Sequence, residues 1–475
     1  MNILDIKWIL LQLQNLFENN ITLIYLSYVS KEKILSILIG ILPISYIFGT
    51  FIVNINIVLI VFCGTFLFLK GKRFSIKNID IIIILFFSYI LFTSIYNTIE
   101  INYFNQNEKK DFYILNKSLF FLRYLFLYLS IRLLIENKLL NFKIIFYFFS
   151  SIVLFVIFDV IYQFYIGKDL FGYVSPFAHK NSGPFFDEAI AGGFIQRFSL
   201  FVFFSFILYS SVKKTSNKIY FLSLLFFLTI ISIIFSGNRM PLVLFMLSIF
   251  LIMITNKTLK KYLIQILIFM FVISLITINS NDRLKQYYNT FFNQSEKIIS
   301  LYSYRIIGIG SDIPSNKRPS YIYEFDAGIS TFKLNKYIGG GIKSFRFNCP
   351  KRKITNRERT TCNMHPHNYF LEILTDLGII GFLIFVTLIF LVIFKSYKIL
   401  IYNKYKYTFS PFFYIFLMEI FPLKSSGSFF TTNNSVIIFF ILGVIVSFVP
   451  RLKKFGGPTG NRTPIRWLKT ICPNR

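Results

Sequence analysis

The chain has 475 residues, of which 55% are apolar, 20% aromatic and 15% charged, with a formal charge of +30 and a mean hydropathy of +0.61. Soluble domains carry about 25% charged residues, and no soluble surface hides 62 Phe and 29 Tyr among so few charges. An ordinary soluble enzyme, a disordered chain and a disulfide-dense mini-protein are excluded, and lipid is the solvent for most of the sequence. The basic residues are scattered over short segments between apolar runs rather than gathered on one face, so no nucleic-acid partner is expected.

The first residues mix apolar patches with Asp5, Lys7, Glu18, Asn19 and Asn20, which suits an interfacial helix better than a span, and no small-residue cleavage pattern follows. Residues 1–35 therefore read as an N-terminal cytoplasmic or interfacial segment. A span needs about 20 apolar residues. Twelve candidates follow, at roughly 36–49, 52–69, 80–98, 115–135, 144–165, 188–211, 219–235, 240–254, 261–278, 377–396, 411–423 and 434–450. The first two nearly fuse around Gly49-Thr50 and predict a tight helical hairpin. The fold class expected is an all-α integral membrane protein, with nine spans in 36–278 and three in 377–450.

Lys and Arg in short loops set orientation. With the N-terminus cytoplasmic, the runs at 70–77, 256–261 and 395–406 all fall on the cytoplasmic side, with Lys138 and Lys143. Both termini are then cytoplasmic, and the basic tail 451–475 follows the last span. One large loop remains outside, within 279–376, and its aromatics (Tyr321, Tyr323, Phe325, Phe332, Tyr337) predict an ordered cap over the bundle. Cys349 and Cys362 both lie in it, where an oxidising compartment favours a disulfide. Closing a loop of that size stabilises a fold by about 3 kcal/mol.

Charged groups inside spans are costly and usually mark function. Arg123 lies within the fourth span, Glu188 and Arg197 open the sixth, and Arg239 sits at the outer mouth of the eighth. Structural readings compete: Arg239 could snorkel, and Arg123 and Arg197 could pair with Glu188. Three guanidinium groups near one end of a bundle nonetheless suit an anionic, phosphorylated lipid headgroup. The run HPHNYFLEILTDLGIIGF, residues 365–382, predicts a short helix starting at Pro366, ended by Gly378 in a left-handed cap, with Gly381 allowing close packing in the next span. It places His365, His367 and Asn368 together, and an imidazole can accept a proton at neutral pH. No spacing suggests a metal site, and no cofactor is expected.

The segments SGNRMP, NKYIGGGIKSFRFNCP and HPHNYFLEILTDLGIIGF, with SGPFFDEAIAGGFIQRF, resemble the O-antigen ligase family, which includes O-antigen polymerases and protein O-oligosaccharyltransferases. The resemblance covers roughly residues 30–450. It implies about twelve helices, one large periplasmic loop and residence in the bacterial inner membrane. It further implies glycan transfer from an undecaprenyl-diphosphate-linked donor to a hydroxyl of lipid A-core, or of another glycan, at the periplasmic face. His367, followed by Asn368, matches the proposed base, with His365 as rival. Arg197 and Arg239 match the pyrophosphate-binding arginines. Arg123, from its depth in the span, and Arg318 and Arg346 in the large loop are further candidates for holding the donor. Direct attack by an activated hydroxyl, without a carboxylate nucleophile, would invert the anomeric centre. A transporter or lipid flippase is the alternative from another class, but it predicts internal repeats, and none is visible.

Overall fold

The computed structural model describes residues 31–100, 102, 112–177, 179–210, 215–308, 318–352, 362–402, 405–425 and 427–450. The expected interfacial helix before residue 31 and the tail after 450 lie outside the described residues. What is described is helical, without a strand among the described residues. In chain order the helices are α1 (Lys31–Gly40), α2 (Leu42–Ile47), α3 (Thr50–Leu69), α4 (Asn78–Ile99), α5 (Tyr113–Phe121), α6 (Arg123–Glu136), α7 (Phe142–Ile166), α8 (Ala191–Tyr209) and α9 (Thr215–Phe235). There follow α10 (Arg239–Thr255), α11 (Lys257–Asn279), α12 (Asp282–Ile307), α13 (Ser320–Phe332), α14 (Phe345–Asn348), α15 (Tyr369–Tyr402), α16 (Lys406–Glu419) and α17 (Thr432–Phe448).

Among the described residues, six stretches are long and apolar enough to cross a membrane: α3, α4, α5 with α6, α7, α8 and most of α15. Shorter apolar helices occupy Ile219–Phe235, Arg239–Thr255 and Thr432–Phe448. The expected twelve are thus met in part, for local reasons. The first expected span is broken at Ile41, just before Pro43, into two pieces too short to span. The chain then turns at Gly49, whose φ of +92° a side chain would strain. The eleventh, expected at 411–423, is α16, whose 14 residues start five positions earlier and are too few to span.

Helix α17 can be short because it meets little lipid. Every residue from Asn434 to Ser447 is buried, the signature of a helix enclosed on all sides. It packs on α6, α16 and α3. The outer surface carries the opposite pattern: Phe51, Phe62, Leu383, Phe390 and Phe394 are exposed, a cost only lipid removes. The result is a multi-pass membrane protein with a protein-enclosed central helix.

One end of α17 is closed by charge. Lys77 donates from Nζ to the carbonyls of Val446, Ser447 and Val449 at 2.7, 3.2 and 2.7 Å, satisfying groups a helix C-terminus leaves orphaned. Beside it Arg132, fully buried, donates to Asp80 Oδ1 and Oδ2 (3.0 and 3.1 Å), Glu136 (2.6 Å), the Ser75 carbonyl (2.8 Å) and Ser447 Oγ (3.3 Å). Tyr128 donates its hydroxyl to the same Asp80.

After α11 the chain bends by 115° into α12, the first element of the expected cap. Helices α13 and α14 follow, and Cys349 is bonded to Cys362 with a Cα–Cα distance of 5.7 Å.

Candidate functional site

The other end of α17 opens into a cavity of about 600 Å³. Its wall includes first-turn residues of three helices: Gly193 of α8, Arg239 of α10 and Thr432 of α17. Helix N-termini present free N–H groups and the positive end of the dipole, which favours an anion. The side chains add to this, because Lys180, Arg197, Arg239 and Lys424 line the cavity against one carboxylate, Glu188.

The arginines expected from sequence fare differently. Arg197 reaches the wall but is paired, its Nε and Nη2 meeting the two oxygens of Glu419 at 2.8 and 3.1 Å, with Nη2 also 2.6 Å from Asn434 Oδ1. Its carboxylate partner is therefore Glu419 and not Glu188, which sits exposed at the cavity. Arg239 has no such carboxylate. Its guanidinium lies 3.6 Å from the ring centre of Tyr287 on α12, and its buried Nε has no hydrogen-bond partner among the described residues. The capping helix thus supplies a cation–π shelf and, through Tyr287, part of the cavity wall. Arg123 sits at the break between α5 and α6 and donates from Nη2 to Tyr124 Oη (2.7 Å) and to Thr432 Oγ1 (3.2 Å), a wall residue. Arg318 stands half-buried just ahead of α13, and neither it nor Arg346 lines this cavity.

The histidine run adjoins the cavity without lining it. Helix α15 begins at Tyr369, three residues later than the proline suggested, because Asn368 is its cap: Oδ1 accepts from Phe370 N and Leu371 N at 3.0 and 3.2 Å. The Asn368 amide donates to the Pro422 carbonyl at 2.7 Å, tying the run to the loop that carries Lys424. Lys424 lies 5.4 Å from the Tyr369 ring centre and donates to Glu419 at 2.8 Å. A continuous polar path therefore joins the histidine run to Arg197. Burial pulls Lys424 down to about 8, with Glu419 opposing the shift.

The rings of His365 and His367 are 4.3 Å apart. Burial, then His367, Arg346 and Lys343, pull His365 down to about 4, so it is neutral at pH 7. His367 holds a φ of +50°, uncommon for a side chain with a Cβ. Gly378 breaks α15 at φ +63°, as its position in the motif predicts, and a methyl group at Gly381 would come within 2.9 Å of the Tyr89 ring.

Three acidic residues carry structural weight that the sequence reading did not assign. Glu419 is one. Glu372 and Asp376, one turn apart on α15, are the others. Glu372 accepts from Ser428 Oγ and from Phe429 N (2.6 Å), fixing the approach to α17. Asp376 accepts from Lys343 N, Phe345 N and Ser344 Oγ at 2.7, 3.1 and 3.1 Å, folding the Gly339–Gly341 turn onto α15. At Gly339 (φ +85°) an added Cβ would lie 2.4 Å from Gly378 N, so only glycine allows this approach. Buried acids inside the HPHN run were the available signal.

Residues 224–386 match the family model described as O-antigen ligase. Over that segment the chain is similar to O-antigen ligases. No curated protein matches the chain. The ligase segment includes Arg239, Tyr287, both histidines, Glu372 and Asp376, whereas Arg123, Arg197, Glu419 and Lys424 come from outside it. The cavity is therefore built jointly by the ligase segment and the helices flanking it.

Proposed function

We propose that the protein transfers a glycan from an undecaprenyl-diphosphate-linked donor to a hydroxyl of lipid A-core at the periplasmic face of the bacterial inner membrane. Both termini would lie in the cytoplasm. The observation that carries this reading is the cavity: four cations, two of them held by Glu419, and three helix N-termini converge on about 600 Å³ at the lipid-facing bundle's end, with Glu188 the one carboxylate in the wall. A diphosphate is the anion that such a site favours.

In the proposed reaction the acceptor oxygen attacks the anomeric carbon as the bond from that carbon to the diphosphate oxygen breaks. The electron pair leaves with the diphosphate, and the acceptor proton passes to His367. Arg239 is the main stabiliser of the leaving group, since Arg197 is held by Glu419; Lys180, Lys424 and Arg123 add to the field. Each fixed donor of this kind contributes about 2.7–4 kcal/mol to a transition state. His365 suits the role of base less well, because a group that binds its proton only below about 4 is poorly matched to neutral pH. The backbone strain at His367 is consistent with a side chain held in place for a task. Displacement in one step inverts the anomeric configuration.

The test is reconstitution with lipid-linked glycan and lipid A-core. His367→Ala should lower transfer by about 10²–10⁴-fold, and His365→Ala by much less. Transfer by His367→Ala at the wild-type rate removes it as base. Acceptance of another glycan or of a protein in place of lipid A-core would reassign the acceptor and leave the donor site standing.

A further inference from the structure

A second polar cluster lies away from the cavity, at the end of α7. Asp159 and Gln163 are one turn apart on that helix and share a face. Both are buried, at 0% and 1% exposure, as are Asp169 (2%) and Ser182 (0%) in the segment that follows. That segment folds back on the helix. Leu170 N donates to Asp159 Oδ1 at 2.7 Å, and Phe171 N and Tyr173 N donate to Asp169 Oδ1 at 3.0 and 2.7 Å. Gln163 holds Gly183 N at 2.8 Å and the Tyr173 carbonyl at 3.3 Å.

The bonding leaves a pattern. Each carboxylate spends Oδ1 on backbone N–H groups, and each Oδ2 is buried with no hydrogen-bond partner among the described residues. Ser182 Oγ is buried and unpartnered too. The residues that carry the three groups adjoin one another along the fold. Leu170, bonded to Asp159, is the residue after Asp169, and a methyl group at Gly183, the residue after Ser182, would lie 3.6 Å from Asp159 Oδ2. No ion pair forms to either carboxylate among the described residues. Two like charges buried together without a counter-charge are strongly unfavourable.

We infer that Asp159 Oδ2, Asp169 Oδ2 and Ser182 Oγ bind one hard divalent cation, Mg²⁺ or Ca²⁺. The donor set is all oxygen, and two carboxylates balance a charge of two. One or two carboxylates completed by water is the usual protein share of a Mg²⁺ site, whereas Ca²⁺ takes more oxygens. Among the described residues no three His, Cys, Asp or Glu come together, so the softer ligand sets of zinc are not met. The ion would act on structure. It would fasten residues 169–183 to α7, and that strap leads through Lys180 into the cavity wall.

The test uses the full chain in detergent, stripped with EDTA and then given MgCl₂ or CaCl₂. One ion should bind per chain, measured by equilibrium dialysis with elemental analysis, and saturation should raise Tm by roughly 5 °C. The Asp159→Asn/Asp169→Asn variant, isosteric and without the charge repulsion, should fold, bind no ion at this site and show no metal-dependent shift. Ser182→Ala should weaken binding several-fold. The larger response, to Mg²⁺ or to Ca²⁺, identifies the ion. Absence of binding below about 1 mM, or an equal Tm shift in the double variant, overturns the inference. So does wild type whose stability rises on acidification but ignores both metals, since a shared proton then answers the two carboxylates.

Discussion

The two ends of α17 treat arginine in opposite ways. At one end Arg132 has no exposed surface, and its guanidinium reaches two carboxylates, a carbonyl and a hydroxyl. At the other end Arg239 opens onto a cavity, rests on an aromatic ring and keeps a buried N–H unspent. Arg197 lies between these extremes, paired with Glu419 yet part of the cavity wall. Burial of charge alone therefore does not distinguish a scaffold from a binding site. What distinguishes them is whether the donors are already satisfied and whether there is room for an anion.

The comparison predicts separable phenotypes. Arg132→Met should show the largest effect, because it takes the paired guanidinium from buried Asp80 and leaves Glu136 only Lys77 as counter-charge. A loss of about 3–5 kcal/mol is expected, read as a fall in Tm and in the yield of folded protein, with activity per folded molecule preserved. Arg239→Ala should do the reverse. Transfer should fall by about 10²–10³-fold, while thermal unfolding changes little. If both variants lost stability alike, the distinction between the two ends would collapse.

Glu419→Gln should give a mixed result, since it releases Arg197 and Lys424 together. Stability should fall by about 1–3 kcal/mol, the cost of leaving buried donors unmet, as measured by thermal unfolding, while donor KM stays the same or drops as the freed cations face the cavity. The smallest effect should come from pH. Lys424 is pulled down to about 8, so between there and the ordinary lysine range the unfolded chain holds a proton that the folded one has released. Stability should rise with pH across that window. The cavity loses a positive charge over the same range, so donor KM should rise a few-fold above about 8, and Lys424→Arg, which stays charged, should flatten the profile. A KM that ignores pH in the wild type would remove Lys424 from the donor site.

Much of the local structure was legible in the sequence, because local features have local causes. Gly378 was readable as a helix break and Gly381 as a close contact, since each follows from what a missing side chain permits. The run preceding α10 put Arg239 at a helix start, and the histidine pair came as a unit. Asn368 shows how a plausible site residue can carry another duty. Its side chain caps α15 and ties down the loop before α17, a duty that its place in the motif beside His367 does not reveal. The twelve expected spans are met only in part because apolar length in a sequence is not helix length: α17 is short and sheathed by protein, and the first expected span divides at Ile41, just before Pro43.

By itself the sequence determined that this chain lives in lipid, that it is helical, where several helices start and break, and which family it resembles. Those properties depend on composition and on residues a few positions apart. Tertiary structure alone decided that Arg197 meets Glu419, 222 positions away, that Arg132 is sealed while Arg239 is open, and that Tyr287 of a distant helix shapes the cavity. A guanidinium looks the same in any sequence; its role is set by which carboxylates the packing of far-off helices brings within about 3 Å of it.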